Sequence, residues 1–184
     1  MQGDRSNILF CVGDSIVEAL YLQEVAGFTL VNAGISGAGV RTFLHRTGNI
    51  LPQAQGTSVL LAIGINDAWD FSAEAWGAEY RELCTQLAAD AAKFIVQTVL
   101  PLEKHPLWGG QRLPFENIAA MNDIIRSFAK ERGYCLIDMY AHFADKDGFM
   151  LEGGTTDGVH LTDDSYARWR KYWEQELPRC RKGR

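Results

Sequence analysis

A serine, an aspartate and a histidine stand at two distant places in the chain where their types and spacing could do chemistry. An apolar run at residues 8–12 ends in a Gly-Asp-Ser sequence whose serine is Ser15, and Asp157 and His160 lie three residues apart near the other end. A serine hydroxyl becomes a nucleophile when a base takes its proton, and imidazole is the base suited to neutral pH. An aspartate bonded to the second ring nitrogen fixes the tautomer and stabilises the imidazolium. If the fold joins both places, these residues predict hydrolysis or acyl transfer through a serine ester.

Each of these residues also has a plainer structural interpretation. An Asp-Gly pair such as Asp157 and Gly158 is common in surface turns, and His160 could be a structural histidine. Ser15 could cap a helix, with Glu18 completing a Ser-x-x-Glu capping box. A serine at a helix start nevertheless lies beside oriented backbone N–H groups, which suit an anion. The structural and chemical interpretations of Ser15 are therefore compatible.

Short apolar runs alternate along the chain with longer segments of helical periodicity. The runs, taken as strands, are residues 8–12, 28–31, 59–63, 94–99 and 134–137. The helical segments are residues 16–25, a weaker one within 40–51, 73–91, 115–132 and 163–177. Continuous apolarity is typical of strands that are covered on both faces. The pattern predicts an α/β domain of three layers, with helices on both faces of a central parallel sheet of about five strands.

Sheets of this kind carry their active sites at the carboxyl ends of the strands. The segments that follow the first three predicted strands are Gly13-Asp14-Ser15, residues 32–37 and residues 64–67. Asp157 and His160 come after the fifth strand and an irregular segment rich in Asp and Gly. We therefore expect the candidate groups to meet at one edge of the sheet.

Taken together, these segments resemble the SGNH hydrolases, also called GDSL esterases and lipases, which are named after four residues from four sequence blocks. The four blocks occur in order as Gly13-Asp14-Ser15, Gly37, Gly64-x-Asn66-Asp67 and Asp157-x-x-His160. Ile16 stands where leucine is commoner, and the resemblance runs from about residue 8 to the closing helix. It implies the flavodoxin-like SGNH hydrolase fold, with Ser15, Asp157 and His160 as the catalytic residues.

The resemblance also implies an oxyanion hole made by the backbone N–H groups of Ser15 and Gly37 and the side-chain amide of Asn66. The negative oxygen of a tetrahedral intermediate needs about two or three such donors. Gly37 suits this place because it has no Cβ to obstruct an approaching acyl group. Asp14 and Asp67 are expected to be structural, bonding the backbones of their loops.

Two loops carry candidate substrate-binding residues. Trp69 and Phe71 closely follow Asn66, while Leu107 and Trp108 lie in the long loop after the fourth strand. These side chains could wall an apolar or sugar-stacking cleft, or they could only anchor their loops. The short chain favours short acyl esters as substrates.

Several alternatives to a short-acyl esterase stay open. The resemblance allows a lysophospholipase or thioesterase, a carbohydrate O-deacetylase, or an acyltransferase with the same triad. A non-catalytic SGNH-like domain that binds a ligand or a partner protein is an alternative of another class. The sequence leaves open the acyl chain, the leaving group, the pathway and the oligomeric state.

Composition narrows the class of protein. With 184 residues and a net charge of -5, the chain is expected to form one domain that binds a small ester or thioester rather than nucleic acid. We expect a core at about residues 8–177 and a basic C-terminal tail at residues 179–184. The N-terminus has no signal pattern, and no apolar stretch approaches the roughly 20 residues that span a bilayer. These features favour a cytoplasmic protein without a membrane segment.

No cofactor or metal is expected. The glycines after the second strand have the spacing G-x-x-G-x-G, which differs from the G-x-G-x-x-G of dinucleotide-binding proteins. The other histidines stand apart from His160, so a metal site has no support. The four cysteines form no C-x-x-C pair and are expected to be reduced thiols; they are Cys11, Cys84, Cys135 and Cys180.

Overall fold

A six-stranded sheet forms the centre of the computed structural model, which describes residues 5–104 and 113–182. In chain order the strands are β1 (Ile8–Gly13), β2 (Glu24–Val25), β3 (Phe28–Gly34), β4 (Ser58–Ala62), β5 (Lys93–Gln97) and β6 (Cys135–Ile137). Their order across the sheet is β2-β3-β1-β4-β5-β6. Only β2 is antiparallel to its neighbour among these strands. The predicted α/β architecture is confirmed. The sheet has six strands in place of about five, and it is mostly rather than wholly parallel because of β2.

Helices connect the strands and cover the sheet. They are α1 (Ser15–Glu18), α2 (Val40–Leu44), α3 (Thr47–Ala54), α4 (Ala73–Ala88), α5 (Phe115–Arg132), α6 (Met139–Phe143) and α7 (Asp163–Lys182), with a 3-10 helix at Ile65–Asp70. Helix α5 has the bounds that its periodicity predicts. Within the described ranges, no helix combines the length and apolarity needed to cross a membrane.

Strand β5 shows how helices come to lie on both faces of the sheet. Gln97 accepts a hydrogen bond from the indole of Trp173 in α7 at 2.9 Å. Phe94, three residues earlier, packs edge-on against Tyr134, which in turn contacts Phe128 of α5. Because residues an odd number apart point to opposite faces of a strand, α7 and α5 cover opposite faces. The buried strands β1, β4 and β5 fill the core between these layers.

The predicted helix at residues 16–25 is wrong beyond Glu18. The side-chain amide of Asn32 in β3 donates to the carbonyls of Val17 and Leu20 at 2.7 and 3.1 Å, which ends α1. The chain then forms β2 and a two-residue hairpin in which Ala26 and the following glycine both have positive φ. Such a hairpin turn matches the twist of its strands.

Two further differences follow from tertiary contacts. The weak helical segment at 40–51 is split into α2 and α3. Helix α7 continues to Lys182, so the predicted tail is wrong for residues 179–182, which are helical. Arg179 donates to the backbone oxygen of Leu136 at 2.8 Å, and this bond holds the last turns of α7 against β6.

The cysteines are not all reduced, contrary to expectation. Cys135 of β6 and Cys180 of α7 form a disulfide across a Cα–Cα distance of 5.4 Å, although 45 positions separate them in the sequence. Cys11 and Cys84 are free and buried, and burial raises the pKa of both thiols, that of Cys84 to about 12. The disulfide leaves the expected cytoplasmic location without support from the cysteines.

Candidate active site

Ser15 lies at the carboxyl end of β1, where the strand turns directly into α1. Asp14 is the N-cap of that helix, and its Oδ1 accepts a hydrogen bond from the backbone N–H of Ile16 at 3.0 Å. The hydroxyl of Tyr166 in α7 donates to the backbone oxygen of Ile16 at 2.9 Å. These two bonds hold the backbone of Ile16, directly after Ser15, and Ser15 itself stays half-buried.

A continuous chain of hydrogen bonds joins Ser15 to the loop near the C-terminus. Ser15 Oγ lies 3.0 Å from His160 Nε2, and His160 Nδ1 lies 2.7 Å from Asp157 Oδ2. The carboxylate can only accept, so Nδ1 carries a proton, and in that tautomer Nε2 is the ring atom that can accept the serine proton. The side chains of His160 and Asp157 are each 40% exposed, which leaves them open to a ligand.

The loop around Asp157 explains how two residues three positions apart come to face each other. The second carboxylate oxygen of Asp157 accepts the backbone N–H of His160 at 2.8 Å. The N–H of Gly158 donates to Thr155 Oγ1 at 2.9 Å, and its carbonyl accepts the N–H of Glu103 at 3.1 Å. The turn is thus fixed both internally and from the neighbouring loop after β5, which sets the direction of the imidazole.

The loops that carry Gly37 and Asn66 contact each other next to Ser15. Asn66, in the 3-10 helix after β4, donates from its side-chain amide to the backbone oxygen of Ala38 at 2.9 Å. Ile35, at the start of the other loop, donates to the carbonyl of Gly13 at 2.9 Å. Gly37 has a φ of 72°, a conformation that favours glycine. An amide has two N–H bonds, so Asn66 keeps one for a further acceptor.

Two carboxylates lie near this edge, the buried Asp14 and the half-buried Asp67. Asp67 accepts the N–H of Val40 and the indole N–H of Trp76, both at 3.1 Å, so it joins two loops. Burial raises the pKa of Asp67. Asp14 is only 4% exposed, and burial raises its pKa to about 7 although the N–H of Ile16 favours its ionised form.

The predicted substrate-binding residues have different surroundings. Trp69 lines an open cavity of about 270 Å³ together with the start of α5. Phe71 packs edge-on against Trp76, with ring centroids 5.9 Å apart. Leu107 and Trp108 lie outside the described residues. Sequence reasoning missed Phe115 and Glu116 of this cavity; the helix start after the long loop was the only signal for them.

Most of the chain matches the model of a known protein family. Residues 11–168 match the model of the GDSL-like lipase/acylhydrolase family. No curated protein matches the chain. Over the part of the chain that the structure describes, no group of three or more His, Cys, Asp or Glu side chains could hold a metal ion.

Solved structures share the fold over nearly the whole chain. One is a protein from Streptococcus pneumonia named after platelet activating factor; it is 25% identical, with a TM-score of 0.82 over 96% of this chain and 86% of that chain. A second is Axe2, an acetylxylan esterase from Geobacillus stearothermophilus, 20% identical with a TM-score of 0.74 over 96% of both chains. A third is a GDSL-like lipase from Bacteroides thetaiotaomicron, 21% identical with a TM-score of 0.73 over 96% and 88%. Catalytic mutants of Axe2 include a serine-to-alanine and a histidine-to-alanine replacement.

Proposed function

This chain belongs to the GDSL-like lipase/acylhydrolase family, and on that premise we propose that it is a serine carboxylic ester hydrolase that acts through an acyl-enzyme. The observation that carries the proposal is the hydrogen-bond chain from Ser15 Oγ through both ring nitrogens of His160 to Asp157. Nucleophile, base and orienting carboxylate are within hydrogen-bond reach of one another, as covalent catalysis by serine requires.

In the acylation half, His160 Nε2 takes the hydroxyl proton as Ser15 Oγ attacks the ester carbonyl carbon. The carbonyl electron pair moves onto its oxygen and forms a tetrahedral oxyanion. Asp157 accepts the Nδ1–H bond throughout and stabilises the imidazolium. When the oxyanion collapses, the bond to the alcohol oxygen breaks, His160 returns the proton to that oxygen, and the alcohol leaves an acyl-serine ester.

In the deacylation half, a water molecule takes the place of the alcohol. His160 removes one proton from the water while its oxygen attacks the acyl carbon, and a second tetrahedral oxyanion forms. Its collapse breaks the bond to Ser15 Oγ, which regains the proton from His160. The products are the free acid and the original enzyme, so one ester and one water are consumed in each cycle.

Three donors serve the oxyanion in this proposal: the N–H of Ser15, the N–H of Gly37 and the side-chain amide of Asn66. Support comes from the contact between the two loops, because Asn66 is held by the carbonyl of Ala38 beside Gly37. Donors that are fixed before the reaction cost no reorganisation when charge develops.

Short-acyl esters are the proposed substrates, and an acetylated sugar is the candidate that a specific observation favours. The cavity beside the 3-10 helix combines the aromatic rings of Trp69 and Phe115 with the carboxylate of Glu116. Aromatic faces pack against sugar rings, and a carboxylate accepts bonds from sugar hydroxyls. Axe2, which shares the fold, is an acetylxylan esterase.

The test is a series of p-nitrophenyl esters graded by acyl length, measured beside acetylated oligosaccharides. We expect hydrolysis to be fastest with acetyl and to fall as the acyl chain lengthens. Ser15→Ala should abolish this activity, while Ser72→Ala, which replaces an exposed serine at the cap of α4, should retain it. Full activity of Ser15→Ala would overturn the mechanism. A rate of hydrolysis that is highest with medium acyl chains would contradict the short-acyl substrates and indicate lysophospholipids or thioesters instead.

A further inference from the structure

A small cavity lies beside α1, between the end of β1, the end of β5 and helix α7. It is lined by Asp14, Gln97 and Trp169 among otherwise mostly apolar residues, and its volume is about 20 Å³. A site needs about 10 to 15 Å³ of this volume to hold one water molecule. The cavity therefore has room for a single water.

The cavity lining offers two side-chain donors, and one of them has no hydrogen-bond partner among the described residues. Trp169 is only 1% exposed, and its indole N–H has no hydrogen-bond partner among the described residues. Gln97 is also buried, and its Oε1 is occupied by the indole of Trp173. The side-chain amide nitrogen of Gln97 is a second donor in this lining. Buried donors without an acceptor are rare because their desolvation is uncompensated.

The carboxylate of Asp14 supplies the complementary group. A water molecule commonly makes about three hydrogen bonds in a buried site. With two donors and one acceptor on the wall, a single water could accept from Trp169 and Gln97 and donate to Asp14. An apolar ligand would leave the indole N–H of Trp169 without an acceptor.

We propose that this cavity binds one water molecule between Trp169, Gln97 and Asp14, and that Asp14, held in this way, is a positioning residue for Ser15 and His160. The water-binding part stands on the cavity alone, whereas the positioning part rests on the proposed function. Asp14 caps the helix that begins with Ser15, so a fixed carboxylate fixes the backbone of the nucleophile.

The charge of Asp14 supplies a second route to His160. The titratable groups that interact with Asp14 are Asp67, His160 and the phenol of Tyr166. Burial and Asp67 oppose ionisation of Asp14, whereas an imidazolium at His160 favours it. By the same coupling, an ionised Asp14 favours the imidazolium that forms in each transition state. A water that donates to Asp14 supports the ionised form that burial disfavours.

Crystallography at high resolution tests the water site without any substrate. The wild-type protein should show one ordered water within about 2.7 to 3.2 Å of all three groups. In Trp169→Phe, which removes the indole N–H, this water should be lost or displaced. A dry cavity in the wild type, or a water that does not contact Asp14, would overturn the proposal. If Trp169→Phe does not fold, the electron density of the wild-type protein still shows whether the cavity holds a water molecule.

The positioning role is tested by kinetics against pH. Asp14→Asn keeps an oxygen for the Ile16 N–H but removes the charge, so we expect kcat to fall by about tenfold with KM changed less than about twofold. Trp169→Phe should raise the pKa of Asp14. The loss of kcat in this variant should therefore be largest near neutral pH and disappear in alkaline solution, where Asp14 is ionised in both proteins. Tyr80→Phe, which removes a buried hydroxyl on α4, is the control and should keep the wild-type profile.

The two proposals fail in different ways. A merely structural Asp14 would lower Tm in Asp14→Asn and leave kcat and its pH profile unchanged, which would overturn the positioning role. A wild-type protein that hydrolyses no ester would overturn the proposed function, and the crystallographic result on the water would stand by itself.

Discussion

Different kinds of bond stabilise the two edges of the central sheet, the edge at the carboxyl ends of the strands and the edge at their amino ends. At the carboxyl ends, Ser15, Asn66 and His160 stand on separate segments. The side chains of Ser15 and His160 are hydrogen-bonded to each other, and the side chain of Asn66 is bonded to the backbone of Ala38. At the amino end of β6, a disulfide from Cys135 to Cys180 and the bond from Arg179 to Leu136 fasten the last helix. The hydrogen bonds at the first edge hold the proposed catalytic side chains near solvent, whereas the disulfide at the second stabilises the attachment of α7 to β6. The difference predicts that substitutions at the first edge cost activity and those at the second cost stability.

The largest expected effect at the carboxyl edge comes from Asp157→Asn. The amide can donate to the imidazole, which would leave the proton on Nε2 and prevent that atom from accepting the serine proton. We expect kcat to fall by about 10⁴-fold. Steady-state kinetics with p-nitrophenyl acetate measures the loss, and Asp163→Asn at the exposed start of α7 is the control. A loss of less than tenfold in Asp157→Asn would remove this residue from the triad.

Asn66→Ala is expected to have a smaller effect at the same edge. Removal of one oxyanion donor lowers kcat by about 10² to 10³-fold, and KM should change little because the bond forms in the transition state. The ratio of the two parameters is the decisive measurement. If KM rises more than kcat falls, Asn66 binds the substrate in its ground state instead.

Removal of the disulfide should produce the opposite pattern. Cys135→Ser with Cys180→Ser opens a link between residues 45 apart in sequence, which corresponds to a loss of about 2 to 4 kcal/mol of unfolding free energy. Denaturant unfolding measures this change, and kcat of the folded variant should stay within about twofold of the wild type. A large loss of kcat in the folded variant would show that the two edges are coupled.

The smallest expected effect comes from the buried carboxylate of Asp14, whose burial lowers the stability of the folded protein at the carboxyl edge of the sheet. Burial raises its pKa to about 7, above the ordinary value in an unfolded chain. The folded protein therefore holds more protons than the unfolded one between about pH 4 and 7, and stability falls as pH rises through this window. Asp14→Asn removes this dependence, so its unfolding free energy relative to the wild type should increase by about 1 to 3 kcal/mol from pH 4 to 7. A difference that does not vary with pH would contradict the raised pKa.

The sequence alone could predict the parts of the fold and of the candidate site that depend on local sequence patterns. The alternation of apolar runs and helical segments predicts the parallel sheet, and the residues after each strand identify Ser15, Asn66 and His160 as neighbours. Helix α5 was predictable to the residue because its periodicity, its start after Pro114 and its C-cap Gly133 all agree.

The features that could not be predicted depend on contacts between distant residues. Helix α1 is short because Asn32 of β3 binds the carbonyls of its last two residues, Val17 and Glu18. Cys135 and Cys180 meet only because β6 and α7 pack together. The cavity beside Asp14 arises from three elements, and the pattern of the last helix indicates only that Trp169 is buried. A pattern shows which face of an element is apolar, but not what that face meets.

The central claim is that Ser15 is a nucleophile activated by His160, and a fluorophosphonate probe with mass spectrometry tests it most directly. The account predicts one adduct per chain, on Ser15, which is absent in Ser15→Ala and forms far more slowly in His160→Gln. An enzyme that hydrolyses esters while Ser15 stays unlabelled, or an adduct on another residue, would contradict it.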